Sequence, residues 1–255
     1  MEKCEVFGNS DRGLRRRHNE DAFLVRPDLG LLVIADGMGG HAAGEVAATI
    51  AVREVERYFE AGLSDEDDTW PRTGHEPSAA ATRLGGSIES AHQSVTDAVE
   101  GDYGLKGMGA TIVAALVDCT EAHVTLAHVG DSRAYLYRSG TLRLLTSDHS
   151  WVHEQVMAGL LSEEAARTHP LKNVVTRALG GTQNPEVDVS EVQLEPGNVL
   201  LLCSDGLNTM LADDEIEGIV KRDLPLEELG RELIDEANRR GGIDNITVIL
   251  LRIRA

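Results

Sequence analysis

Aromatic residues make up only 4% of this 255-residue chain, so any core must rest on Leu, Val, Ile and Ala. Cysteine is also scarce: Cys4, Cys119 and Cys203 lie far apart, form no CxxC pair and are odd in number. That pattern argues against a disulfide framework or a structural zinc site, and it makes a reducing cytoplasm the expected location. Basic residues are outnumbered, 24 Lys and Arg against 43 Asp and Glu, for a formal charge of −19. Without a positive footprint, nucleic acid is a poor partner, and so is an anionic membrane. The N-terminus, MEKCEVFGNSDRG, lacks an apolar signal-peptide stretch. No apolar run reaches the roughly 18 residues of a membrane span. GxSxG, GxxxxGK[ST] and HExxH are all missing, which removes the serine hydrolase, P-loop and zinc protease readings.

Among what is present, short segments rich in Val, Ile and Leu recur. They are Asp21–Arg26, Gly30–Ala35, Ala110–Val117, His123–Val129, Ser132–Tyr137, Val187–Leu194, Asn198–Cys203 and Asn245–Leu251. Their length and composition read as strands. LLVIA and VLLLC are apolar on both faces, so they need cover on both sides. Helical spacing predicts helices over Ala42–Phe59, Ser78–Val99, Asp213–Val220 (with Asp213 as N-cap) and Leu226–Arg239. Helices thus come in two pairs between strand-rich stretches. This is not a strict βαβ alternation; it predicts mixed layers with largely antiparallel sheets. Glu60–Pro77 reads as a polar surface loop, and Asp148–Gly180 as a subdomain or flap over an opening.

Aspartates recur at strand ends. Asp36 closes LLVIA before Gly37-Met38-Gly39-Gly40-His41, Asp205 follows VLLLCS, and Asp131 follows VTLAHVG. Asp244 precedes the last strand, and Asp21 follows Asn19-Glu20 at the start of another. One aspartate at a strand end is ordinary, because Asp favours turns and caps. Five are harder to dismiss, since strand ends converge on one rim in a layered fold. Carboxylates crowded there cannot all stay ionised without a cation. Oxygen-only donors point to Mg²⁺ or Mn²⁺ rather than zinc, and two such ions can clamp a phosphoryl group. A glycine after Asp36 lets the backbone turn sharply and brings its carbonyl close to a metal.

Gly37-Met38-Gly39-Gly40-His41-Ala42 also fits a dinucleotide-binding G-x-G-x-x-G/A pattern. Asp36 would repel the pyrophosphate, however, and no second strand ending in an acid follows. Arg15, Arg16 and Arg17 form the one dense basic cluster. One of them near Glu20 and Asp21 could grip a phosphate bidentately.

The motifs RRRHNEDAF, VIADGMGGHAAGE, GMGATIVAAL, AHVGDSRAYLYR, LTSDHSWVHEQ, LLLCSDGLNTML and GGIDNITVILL occur in this order. Together they resemble the protein phosphatase 2C family, the metal-dependent PPM phosphatases, and its compact bacterial members in particular. The resemblance runs from Gly8 to Ile253. It implies an α/β (α+β) fold, a four-layer α-β-β-α sandwich whose two central, mainly antiparallel sheets are flanked by helix pairs. The whole of 1–255 would be one catalytic domain, with the flap at about 148–180.

It implies, too, that Asp36 bridges two Mn²⁺ or Mg²⁺ ions and that Gly37 offers a carbonyl to the second. Asp205 and Asp244 would bind the first ion. Asp131 would serve a third, weaker ion shared with Asp205. Glu20 and Asp21 would hold metal-bound waters, and Arg16 would grip the phosphate. Many eukaryotic members carry a histidine where Met38 stands, proposed there as general acid, whereas many bacterial members lack it as this chain does. Here that role is unassigned, with His41 and His169 as candidates.

The expected activity is hydrolysis of phosphoserine and phosphothreonine in proteins by a hydroxide bridging the two ions. A monomer is expected, with a bacterial Ser/Thr protein kinase as its natural counterpart. The rival reading is a catalytically silent member that only binds phosphoproteins. Such proteins usually lose a metal aspartate, and none is missing here.

Overall fold

The computed structural model describes residues 3–39, 43–61, 77–181 and 184–254. Most of the loop expected over Glu60–Pro77 lies outside these, as does His41. Among the described residues, ten strands form two five-stranded sheets in which every pairing is antiparallel. One sheet has the order β1 (Cys4–Asp11), β10 (Ile246–Ile253), β9 (Val199–Cys203), β6 (Arg133–Arg138), β7 (Thr141–Leu144). The other runs β2 (Asp21–Arg26), β3 (Leu31–Met38), β4 (Gly109–Asp118), β5 (His123–Val129), β8 (Asp188–Gln193).

Side chains alternate between the two faces of a strand, and this period divides the apolar residues into three layers. On β3, Leu31, Val33 and Ala35 face α1 (Ala43–Ala61) and α2 (Ala79–Gly101), while Leu32 and Ile34 face the opposite sheet. On β9, Leu200 and Leu202 enter the layer between the sheets. Val199, Leu201 and Cys203 meet α6 (Asp213–Val220) and α7 (Leu226–Arg239). The result is the expected α-β-β-α sandwich. Short aliphatic side chains fill all three layers, as the shortage of aromatics required.

The segment 148–180 carries α3 (Trp151–Met157) and α4 (Glu163–Thr168) and returns through bridges Ser150–Val175 and Ala110–Leu179. A short helix α5 (Asp205–Asn208) follows β9.

Three details depart from expectation. Strands β1 and β7 carry no strong apolar pattern and were not foreseen. The N-cap of α6 is Ala212, whose N–H is taken by the Glu215 carboxylate at 2.9 Å; Asp213 is the first helical residue and accepts from the Tyr135 hydroxyl at 3.1 Å. And Cys4 and Cys119 form a disulfide, Cα–Cα 5.9 Å, where the cysteine pattern argued against a disulfide framework. Separation along the chain misled here, because β1 begins where β4 ends in space.

Candidate active site

The sheet register brings the acidic strand ends together. Asp36 pairs across β2–β3 with Asp21 and across β3–β4 with Thr111. Thr111 Oγ1 lies 2.8 Å from Ser132 Oγ, which anchors the turn that carries Asp131. Asp131 is only 8% exposed. In the facing sheet, Asp205 opens α5 and Asp244 stands two residues before β10. A Cβ on Gly206 would fall 2.0 Å from the Asn245 carbonyl, so this glycine lets the Asp205 turn close on the Asp244 corner.

Asn245 locks that corner to the chain between β1 and β2. Its Nδ2 donates to the carbonyls of Arg12 (2.8 Å) and His18 (3.0 Å), and its Oδ1 accepts from the Glu20 N–H (2.7 Å). Asp21 Oδ2 accepts from Thr247 Oγ1 (2.5 Å) and Ser204 Oγ (2.8 Å). These supporting residues, Asn245, Ser204 and Thr247, were not singled out from sequence. The adjacency of Asn245 to Asp244 was the one available signal.

Gly37 and Gly44 are in backbone contact. A Cβ on Gly37 would sit 2.0 Å from the Gly44 carbonyl. One on Gly44 would meet the Gly37 carbonyl at 2.8 Å and Glu20 Oε2 at 2.9 Å. The two glycines therefore keep open a small space bounded by a carbonyl and a carboxylate. Arg16, 47% exposed, reaches Asp244 Oδ2 at 2.5 Å.

Crowding shows in the proton affinities. Burial, then the charges of Asp21, Asp205, Asp131 and Asp244, holds the Asp36 carboxyl well above the ordinary carboxylate range. Burial also pushes Asp21 up to about 7 and Asp131 to about 8, each helped by Asp205, and Asp205 to about 6, helped by Asp244. Among the described residues, Asp21 Oδ1 and Asp205 Oδ1 are buried with no hydrogen-bond partner. Buried acceptors without donors, in an all-oxygen set, are what a hard divalent cation requires. The residues present therefore fit Mg²⁺ or Mn²⁺.

A pH dependence follows. In the unfolded chain these carboxyls titrate near 3.8, so between about pH 4 and 8 the cation-free native state binds more protons. Their contribution to stability is complete below that window and is lost as pH rises through it. Asp131→Asn should therefore raise the melting temperature of the chelated protein more at pH 8 than at pH 5. An equal shift at both pH values would contradict this reading.

His169 stays apart from the aspartates in its contacts. It stacks on Trp151 at 5.0 Å, and its Nδ1 accepts from the Leu171 N–H at 3.1 Å. Neither contact is with an aspartate, and His41 lies outside the described residues.

Among the described residues, the group whose ligand atoms all lie within 4.8 Å of one another is a different one: His128, His149 and Asp188. Hydrogen-bond accounting argues against a metal there. The Gly130 N–H donates to His149 Nδ1 at 3.1 Å, which leaves the proton on Nε2, 3.3 Å from Asp188 Oδ2. Arg177 adds a cation 3.2 Å from Asp188 Oδ1. Burial, then His128, lowers the His149 pKa and keeps the ring neutral. Through backbone bonds to Gly130 (2.9 Å) and Thr176 (2.8 Å), His149 instead ties the Asp131 turn to the returning arm of segment 148–180.

A groove of about 500 Å³ leads away from Asp131 and Asp205. It passes between α3–α4 and the α5–α6 turn, with Val152, Val156, Met157 and Leu211 among its apolar lining.

Residues 13–246 match the family described as Protein phosphatase 2C. This chain belongs to the protein phosphatase 2C family. It is 41% identical to the serine/threonine phosphatase stp of Listeria welshimeri over 249 residues, covering 95% of this chain and 93% of that one. Its fold superposes on the Mycobacterium tuberculosis serine/threonine phosphatase PstP/Ppp with a TM-score of 0.87, at 32% identity, covering 99% and 100% of the two chains. A further structure, the PstP catalytic domain in complex with two manganese ions, matches with a TM-score of 0.82, at 32% identity and 99% coverage of each chain.

Proposed function

We propose that this chain hydrolyses phosphoserine and phosphothreonine in proteins at the rim formed by Asp36, Asp131, Asp205 and Asp244. It is a serine/threonine phosphatase of the protein phosphatase 2C type. The observation that carries the proposed site is the set of buried carboxyls with raised proton affinity and orphaned oxygens, beside a half-exposed arginine.

Asp36, the Gly37 carbonyl, Asp205 and Asp244 would hold a pair of Mn²⁺ or Mg²⁺ ions. Asp131 would serve a third ion together with Asp205, and Asp21 and Glu20 would stand behind them. When bound, the ions would polarise the phosphoryl oxygens and make water nucleophilic at neutral pH. Arg16, on an exposed turn, would take two phosphate oxygens with its guanidinium fork. Asp244, its partner here, would then be freed for a cation. Ser204 and Thr247 keep Asp21 oriented, so its unpartnered oxygen stays aimed at the same space. The groove beside Asp131 would receive the polypeptide flanking the phosphorylated residue, with segment 148–180 as a flap along one wall. A Ser/Thr protein kinase, by the family resemblance, would supply the substrates to a monomeric enzyme; the cytoplasmic location rests on the scarcity of cysteine.

The test is phosphate release from matched peptides in Mn²⁺ buffer. Phosphothreonine and phosphoserine peptides should be turned over at least about tenfold faster than the phosphotyrosine peptide, because the longer ring places the phosphate away from the rim. Equal rates on all three would overturn the substrate assignment.

A further inference from the structure

The Cys4–Cys119 pair lies at the end of the sandwich opposite to the aspartates. Along β4, Thr111 stands beside Asp36 and Cys119 follows the last residue of the strand, a span of roughly 25 Å. Cys4 opens β1, an edge strand hydrogen-bonded on one side only, to β10. Cys119 belongs to the turn leaving β4 in the other sheet. The disulfide is therefore an inter-sheet staple, and it is the covalent hold on the free end of an edge strand. The apolar layer between the sheets does not close by packing here. A cavity of about 180 Å³ lies against both cysteines, lined by Val6, Leu32, Val117 and Leu251.

Both cysteines are half-buried rather than sealed, so a small thiol can reach them. Lys3 precedes Cys4 and extends to the Thr120 carbonyl (3.4 Å), next to Cys119. The thiolate is the attacking species in exchange. Cys203 contrasts with the pair: it is 0% exposed, and burial pushes its thiol up to about 12, so it stays inert.

We propose that Cys4 and Cys119 form a reversible thiol–disulfide modification site, whose oxidation by low-molecular-weight disulfides stabilises the fold without altering the phosphatase centre. In the balanced step, the Cys4 thiolate attacks one sulfur of the small disulfide and expels its other half as a thiol. The Cys119 thiolate then attacks the Cys4 sulfur and releases the second thiol. The two protein thiols lose two electrons, the small disulfide gains them, and the protons pass to the released thiols.

Closing a 115-residue separation restricts the unfolded chain strongly, so the oxidised protein should melt about 10 °C above the reduced one. The test is equilibration of the purified chain in glutathione buffers of graded ratio, followed by alkylation and mass measurement. Two thiols should disappear together as the oxidised fraction grows, with Cys203 alkylated only after denaturation. Cys119→Ser should melt like the reduced wild type and ignore the buffer ratio. Turnover of p-nitrophenyl phosphate at 25 °C should agree within about twofold between the two redox forms. Thiols that stay alkylatable in excess oxidised glutathione, or equal melting of both forms, would overturn the proposal. A change in turnover above that bound would overturn its restriction to stability. The thiol count and the reduced wild type serve as readouts even if the variant fails to fold, and neither depends on the phosphatase assignment.

Discussion

Asp36→Asn should lower hydrolysis of a phosphothreonine peptide by about 10³-fold or more, and addition of a chelator should bring the wild type to the same floor. The substitution keeps the side chain's size and its place between Asp21 and Thr111, so the β2–β3–β4 register survives. What it removes is the charge that four neighbouring aspartates crowd against. In the cation-free protein that removal is a relief, and the variant should melt higher than wild type at pH 8. In Mn²⁺ the order should reverse, since wild type gains stability from the ion and the variant gains little. This crossing of melting temperatures separates loss of a ligand from loss of fold. A variant with near-normal activity, or one that still responds fully to Mn²⁺, would refute the assignment of Asp36.

The second large effect is expected at Arg16. Arg16→Ala should reduce kcat/KM for the phosphopeptide by about 10²-fold, the scale of one strong charge-assisted contact to the transferring group. The guanidinium is 47% exposed and its hydrogen bond to the cluster goes to Asp244, so the fold should hardly notice the change. Mn²⁺-induced stabilisation should persist, in contrast to Asp36→Asn. Arg16→Lys should recover only part of the loss, because an ammonium cannot offer two parallel donors to phosphate. Full recovery by lysine would mean that charge alone matters. An Arg16→Ala enzyme with unchanged kcat/KM would remove this residue from the site and turn attention to Arg15 or Arg17.

The parts of this architecture that could be read in advance share one property: strong local signal. LLVIA and VLLLC are buried on both faces, so their strand character stands out in composition. Helices α6 and α7 keep their apolar residues on one stripe, and their bounds came out as expected. Strand β1, CEVFGNSD, is half-buried along its whole length and carries a glycine and four polar residues. It is a strand because β10 offers a free edge, which composition cannot show. The disulfide was hidden for the same reason. Nothing near Cys4 in the chain hints that a turn 115 residues away ends beside it.

By itself, then, the chain's order of residues determined which aspartates stand at strand ends and that oxygen donors of this number call for hard divalent ions. Motif order also carried the family. Only the tertiary structure decided which of those strand ends meet. Antiparallel register set Asp36 between Asp21 and Thr111, and Asn245 pinned the Asp244 corner to the arginine-bearing turn. Folding likewise placed a covalent staple at the far end. The physical reason is one of range. Strand and turn preferences act over a few residues, whereas the crowding that raises the proton affinity of these carboxyls arises also between groups as far apart in the chain as Asp21 and Asp244.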